Sequence, residues 1–189
     1  MWAVNSDTRS SRSSIESLET EGNELTIQEE VEVTFYRMRL FTSMFPDYFA
    51  NFDVLYQSLS PTFNRDQVFQ AGEGAGRSGS FFFFSHDKKF IIKTIPKDEL
   101  TELLQLLPSM KDHYQSNPKS LLSKIFGVFT VKTKTMSDVH LMLLENILQF
   151  KDPRNVRFIY DLKGSSVNRE VKGENLKPTA TLKDLNLKK

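Results

Sequence analysis

The chain has 189 residues, enough for one domain with a real core and not obviously for two. Hydrophobic residues make up 39% and charged ones 26%; no run approaches the roughly 20 apolar residues of a membrane span, and no secretory signal pattern opens the chain. The absence of cysteine excludes disulfides and thiolate metal sites, and is compatible with the cytosol.

The net charge of +1 hides an asymmetry. Residues 1–30 hold seven acids against Arg9 and Arg12, while residues 151–189 hold ten bases against five acids. A basic C-terminal third suits an anionic partner such as a membrane surface or a phosphate headgroup; solvated lysines with no partner give the same composition.

In chain order, residues 1–26 are rich in Ser, Thr and Glu without an apolar period, which predicts a disordered leader to a domain over 27–189. Val31, Phe35, Met38 and Phe41 then fall at three- and four-residue steps, predicting an amphipathic helix over Ile27 to Thr42. Phe45-Pro46-Asp47 breaks it, and a second short helix is expected over Tyr48 to Leu59 before Ser60-Pro61. Packing against the domain is the favoured role of this lead-in, because Glu29, Glu30 and Glu32 at its start argue against a membrane-lying helix.

Asp66 to Gly72 reads as a first strand. Gly74, Gly76 and Gly79 follow with GxGxxG spacing, which lets backbone N–H groups approach phosphate oxygens. Phe81–Phe84 and Phe90–Thr94 are apolar runs split by the turn-prone His86-Asp87-Lys88, hence a strand, a tight turn and a strand. The continuous phenylalanine run predicts a sheet covered on both faces. Lys93, flanked by Ile91, Ile92 and Ile95, can reach back under the glycine turn as a point charge for phosphate. A glycine loop between two strands with a lysine on the next is the kinase context, whereas a dinucleotide fold opens a helix at this point. A glycine-rich hairpin with a solvated lysine remains the plain alternative.

Pro96-Lys97-Asp98 starts a helix with an apolar face of Leu100, Leu103, Leu104, Leu106 and Leu107. His113-Tyr114 to Lys119 reads as a loop, Leu121 to Phe129 as a strand, Lys132 to Asp138 as a polar turn and Val139 to Asn146 as a last strand. His86, His113 and His140 lack metal-ligand spacing.

Gly76-Arg77-Ser78-Gly79-Ser80 with its four phenylalanines, Phe90-Ile91-Ile92-Lys93-Thr94, and the later Tyr160-Asp161-Leu162-Lys163-Gly164-Ser165-Ser166 together resemble the phosphatidylinositol phosphate kinases. A GKSGS-type loop, an IIKT strand and a YDLKGS segment occur there in this order, and Arg77 stands where the loop usually has lysine. The resemblance runs from about Glu29 to the C-terminus and implies an α+β fold: a five-stranded antiparallel sheet with helices, the N-terminal lobe of a kinase, with the C-terminal lobe truncated.

It further implies that Gly74, Gly76, Arg77, Ser78 and Gly79 cradle ATP, and that Lys93 holds its phosphates. A carboxylate of the following helix would pair with that lysine, Glu99 first and Glu102 as runner-up. Leu144 and Asn146 would belong to the hinge that meets adenine, and Lys163 and Arg169 would face the phosphate of a phosphatidylinositol monophosphate in the membrane, as two converging cations suit a dianion. The expected activity is transfer of the ATP γ-phosphoryl to that lipid, most simply 4-phosphate to 4,5-bisphosphate, by a cytoplasmic protein peripheral to the inner membrane surface, with no nucleic-acid partner. Mg²⁺ would be required, but the metal ligands, the catalytic aspartate and the specificity loop lie beyond the end of this chain. The 189 residues alone are therefore expected to be inactive. A non-catalytic phosphoinositide- or partner-binding module is the alternative.

Overall fold

The computed structural model describes residues 9–14, 30–50, 52–64, 80–150, 152–175, 177 and 180–187. The expected strand over Asp66 to Gly72 and the whole glycine loop lie outside the described residues. Two compact units are present, Met1–Ile147 and Leu148–Lys189.

In the first unit the described residues build an antiparallel sheet of six strands: β1 (Arg9–Ser14), β2 (Glu30–Tyr36), β3 (Phe82–Phe84), β4 (Phe90–Ile95), β5 (Ile125–Lys132) and β6 (Val139–Glu145). Their order across the sheet is β1-β2-β5-β6-β4-β3. With the flanking helices this is the α+β class of a kinase-like N-terminal lobe, and the four expected strands within the described residues are all in place. Phe81 and Phe84 are exposed, so the strand covered on both faces is not what forms; β3 pairs with β4 alone among the described strands.

The helix expected over Ile27 to Thr42 is a correction. Glu30–Tyr36 is a strand, paired with β5 from Glu32↔Lys132 to Tyr36↔Val128, and with β1, which lies within the stretch read as a leader. Val31, Val33 and Phe35 alternate with polar neighbours, and β-branched side chains favour the pleat over the helix. Arg37 turns the chain in a left-handed conformation, φ 52°, before α1 (Met38–Met44).

Pro46 then sits at the first position of α2 (Pro46–Ala50), where its missing N–H costs nothing. α3 (Phe52–Leu59) and α4 (Pro61–Asn64) complete the lead-in. α1 packs against β5 and against α5 (Lys97–Ser116), which agrees with a packing role for the lead-in.

α5 buries Leu100, Leu107 and Tyr114, one stripe at seven-residue intervals. It continues through His113 and Tyr114, which the sequence placed in a loop. The Tyr114 hydroxyl donates to the Ser123 carbonyl at 2.8 Å, fastening the helix end to the approach of β5. Phe126 is the hub of the core, with ring centroids of Tyr48, Phe90 and Phe45 at 4.8, 5.4 and 5.5 Å.

The second unit is small. β7 (Ile159–Asp161) and β8 (Thr181–Lys183) pair in parallel, Tyr160 opposite Leu182, and β8 runs directly into the short α6 (Asp184–Leu187). Among the described residues no helix is long and apolar enough to cross a membrane.

Candidate functional site

Each unit carries one cluster of the residues singled out from the sequence. In the first, β4 presents Lys93 between Phe82 of β3 and Met142 of β6. The strand is apolar around it, so the ammonium is held at the sheet with its side chain only 20% exposed. Pro96 then ends the strand, and its extended conformation caps α5. Two residues into the helix, the Glu99 carboxylate stands 3.6 Å from the Lys93 ammonium, while Glu102 lies exposed one turn on. Asp98 and Glu99 both occupy the first turn, where the free N–H groups of the helix favour negative charge. The pair can hold a lysine in one place while leaving its charge available to an anion.

The end of β6 is fastened from two sides. The Asn146 N–H donates to the Lys89 carbonyl at 2.9 Å and its side-chain amide to the Lys88 carbonyl at 2.7 Å, so Asn146 anchors the strand end to the β3–β4 turn. Leu144 stands in register between Ile91 and Ile125. On the other side Lys124 makes 2.8 and 2.9 Å contacts to both oxygens of Glu145, and the Tyr48 hydroxyl donates to the same carboxylate at 3.0 Å. Burial pushes the Lys124 ammonium down, but the Glu145 carboxylate outweighs it and the net shift is upward. This ion pair was not anticipated; a lysine and a glutamate 21 positions apart carry no linear signal.

The far end of the β3–β4 hairpin is held by a polar cluster. The Asp87 carboxylate accepts from the Ser58 hydroxyl at 2.6 Å and the Ser85 hydroxyl at 2.7 Å, and lies 3.0 Å from the Lys89 ammonium. Burial alone pushes this carboxyl up; the hydrogen bonds from Ser58, Ser85 and Lys89 outweigh it and hold the carboxyl well below the ordinary range. α3 is thus tied to the hairpin that carries Lys93.

In the second unit Lys163 and Arg169 come together through Asp161, whose carboxylate lies 3.8 Å from the lysine and 3.3 Å from the arginine. Lys163 is exposed. Arg169 is not: its Nε donates to Asp184 at 2.7 Å and its terminal nitrogens donate to the carbonyl and carboxylate of Asp161. The hydrogen bond from Arg169 holds the Asp184 carboxyl far below the usual carboxylate range. Gly74, Gly76, Arg77, Ser78 and Gly79 lie outside the described residues. Among the described residues no three His, Asp or Glu converge as a metal ligand set.

Comparison with known proteins identifies the family of the chain. The family model described as Phosphatidylinositol-4-phosphate 5-Kinase matches residues 63–189. A probable phosphatidylinositol phosphate kinase of Dictyostelium discoideum is 46% identical over 114 residues, 60% of this chain and 16% of that protein. The phosphatidylinositol 4-phosphate 5-kinase its3 of Schizosaccharomyces pombe is 38% identical over 117 residues, 60% of this chain and 15% of that protein. Phosphatidylinositol 4-phosphate 5-kinase 7 of Arabidopsis thaliana is 38% identical over 112 residues, 59% of this chain and 15% of its own length. The chain thus spans only 15–16% of the length of these relatives.

Proposed function

The chain belongs to the phosphatidylinositol-4-phosphate 5-kinase family, and from that membership we propose that it supplies the ATP-gripping lobe and the first lipid-facing loop of a phosphatidylinositol phosphate kinase. The observation that carries this reading is the Lys93–Glu99 pair, a strand lysine met by a carboxylate of the next helix at 3.6 Å. Phosphoryl transfer needs little covalent help from a protein; it needs the phosphates positioned and their charge met. Lys93 would bind the phosphate oxygens of ATP, Glu99 would keep it from collapsing onto other acids, and Gly74, Gly76, Arg77, Ser78 and Gly79 would close over the phosphates. The end of β6 at Leu144 to Asn146 would form the edge that adenine meets.

The acceptor in this reading is a phosphatidylinositol monophosphate at the cytoplasmic face of a membrane, with Lys163 at its phosphate. The 4-phosphate is the favoured isomer, in line with the names of the relatives from fission yeast and Arabidopsis. Mg²⁺ would supply neutralisation of the phosphate charge, on ligands expected downstream of this segment. The 189 residues alone are accordingly expected to be silent in transfer. The test is to incubate the full-length protein that carries this segment with labelled ATP, Mg²⁺ and each of the phosphatidylinositol monophosphates in turn. Labelled 4,5-bisphosphate from the 4-phosphate is the expected product; no labelled lipid from any of them would overturn the reading.

A further inference from the structure

Two residues outside the proposed nucleotide machinery hold the end of β6, the edge assigned to adenine: Tyr48 of α2 and Lys124 just ahead of β5. Glu145 closes that strand in register with Phe90. Its backbone is tied to the approach of β5: the N–H donates to the Lys124 carbonyl at 2.9 Å, and the carbonyl accepts the Ser123 hydroxyl at 3.1 Å. The next residue is tied to the opposite neighbour, Asn146 donating to the Lys88 and Lys89 carbonyls.

The Glu145 side chain follows its backbone. Lys124 Nζ reaches both carboxylate oxygens, at 2.8 and 2.9 Å, and the Tyr48 hydroxyl donates to one of them at 3.0 Å. The Lys124 ammonium also lies 5.3 Å from the centre of the Tyr48 ring, within cation–π range. That ring packs on Phe126 and also lines a cavity of about 250 Å³ with Asp47, Val54, Leu55 and Phe90. Packing beside a void leaves a ring room to shift, and the hydroxyl bond to Glu145 fixes where it stands. α5 reaches the same place from its far end, because the Tyr114 hydroxyl holds the Ser123 carbonyl.

Lys124 and Glu145 are 31% and 26% exposed, and an ion pair that water still screens adds little to stability. Its consequence falls on position, since a displaced recognition edge is costly even when it is intact. Tyr48 precedes the residues matched by the family model, 63–189, while Lys124 and Glu145 lie within them. We infer that Tyr48 and Lys124 are positioning residues for the base of the nucleotide: by locking Glu145 they hold the strand end from Leu144 to Asn146 where adenine meets it. The inference rests on the ATP-binding part of the function proposed above and deepens it.

Two ligands separate the base from the phosphates. ATP carries both, whereas inorganic tripolyphosphate carries the phosphate chain alone. Affinities of the full-length protein for each, with Mg²⁺, are measured by titration calorimetry. We expect Tyr48→Phe, which removes only the hydroxyl, to weaken ATP binding about threefold. Lys124→Met is expected to weaken it about tenfold. Tripolyphosphate affinity stays unchanged in both, because the lost contacts lie at the base end. Lys124→Arg, whose fork also suits two carboxylate oxygens, keeps ATP affinity within about twofold. A merely structural role would lower the melting temperature and the number of competent molecules, not the affinity of each. Tyr48→Phe carries the test if Lys124→Met unfolds.

Unchanged ATP affinity in Tyr48→Phe and Lys124→Met would overturn the positioning role. So would equal losses for ATP and tripolyphosphate, which would place the effect at the phosphates, or a loss in Lys124→Arg as large as in Lys124→Met. Absence of ATP binding by the unsubstituted protein would overturn the nucleotide reading together with this inference. Neither titration needs transfer to lipid, so a failure of the lipid-kinase reading shows separately, in the labelled-lipid assay.

Discussion

Lys93 on β4 and Glu99 in the first turn of α5 are joined by a 3.6 Å ion pair, six residues apart across the strand-to-helix corner at Pro96. The Glu99 side chain is 45% exposed, so the pair contributes little to stability, about 1 kcal/mol or less. In the proposed function its use is to place the ammonium. Glu99→Gln is therefore expected to lower kcat/KM for ATP by about tenfold or more while leaving the melting temperature within a few degrees. Glu102→Gln, one turn on, should leave both unchanged. Assays of the two variants in the full-length protein decide whether α5 meets Lys93 through Glu99.

Asp87 gives the first unit an acid-sensitive seam. Its carboxyl titrates below its ordinary value because Ser58, Ser85 and Lys89 hydrogen-bond the charged form. A group whose folded value is depressed adds stability that is complete above the unfolded value, and loses it as pH falls toward the folded one. Stability should thus decline as the pH drops below about 4, the ordinary aspartate value. Asp87→Asn keeps the shape, removes the charge and should cost about 1–3 kcal/mol at neutral pH. Urea midpoints of the two proteins should converge as the pH is lowered; a gap independent of pH would show that the charge contributes nothing.

Arg37 joins β2 to α1 with φ 52°, a conformation that costs a side-chain-bearing residue roughly 1 kcal/mol and glycine almost nothing. Arg37→Gly is expected to stabilise the first unit by about 0.5–1 kcal/mol, read as a higher urea midpoint at unchanged slope. A lower midpoint would mean that the arginine side chain contributes more than the turn costs.

That same corner explains what could be read in advance. Val31 and Phe35 are four apart, and a spacing of four satisfies both a helical face and two steps of a strand. Val33 and Thr34 between them broke the tie toward the sheet, through β-branching that the helical reading passed over. The β3–β4 and β5–β6 hairpins were legible because apolar runs flank polar turns, and Lys93 with Glu99 through the family resemblance.

The Asp184 clamp was not legible. Its three donors, the backbone N–H groups of Lys163 and Gly164 and the Arg169 Nε, lie 15 to 21 residues upstream, and only the parallel pairing of β7 with β8 brings them to one carboxylate. The extra turn of α5 through Tyr114 was hidden by the polar Asp112-His113 step, although Leu100, Leu107 and Tyr114 share one buried stripe.

The most direct test of the account is Lys93→Met in the full-length protein, assayed for transfer of labelled phosphate from ATP to phosphatidylinositol 4-phosphate. Methionine keeps much of the length and apolar stem of lysine and removes the charge, and Lys93 is bracketed by Phe82 and Met142, so the sheet should accept it. The expected result is turnover at background with an unchanged circular dichroism spectrum and melting temperature, because the charge that meets the phosphates is gone while the fold remains. Unchanged lipid phosphorylation by the Lys93→Met protein would contradict the account at its centre.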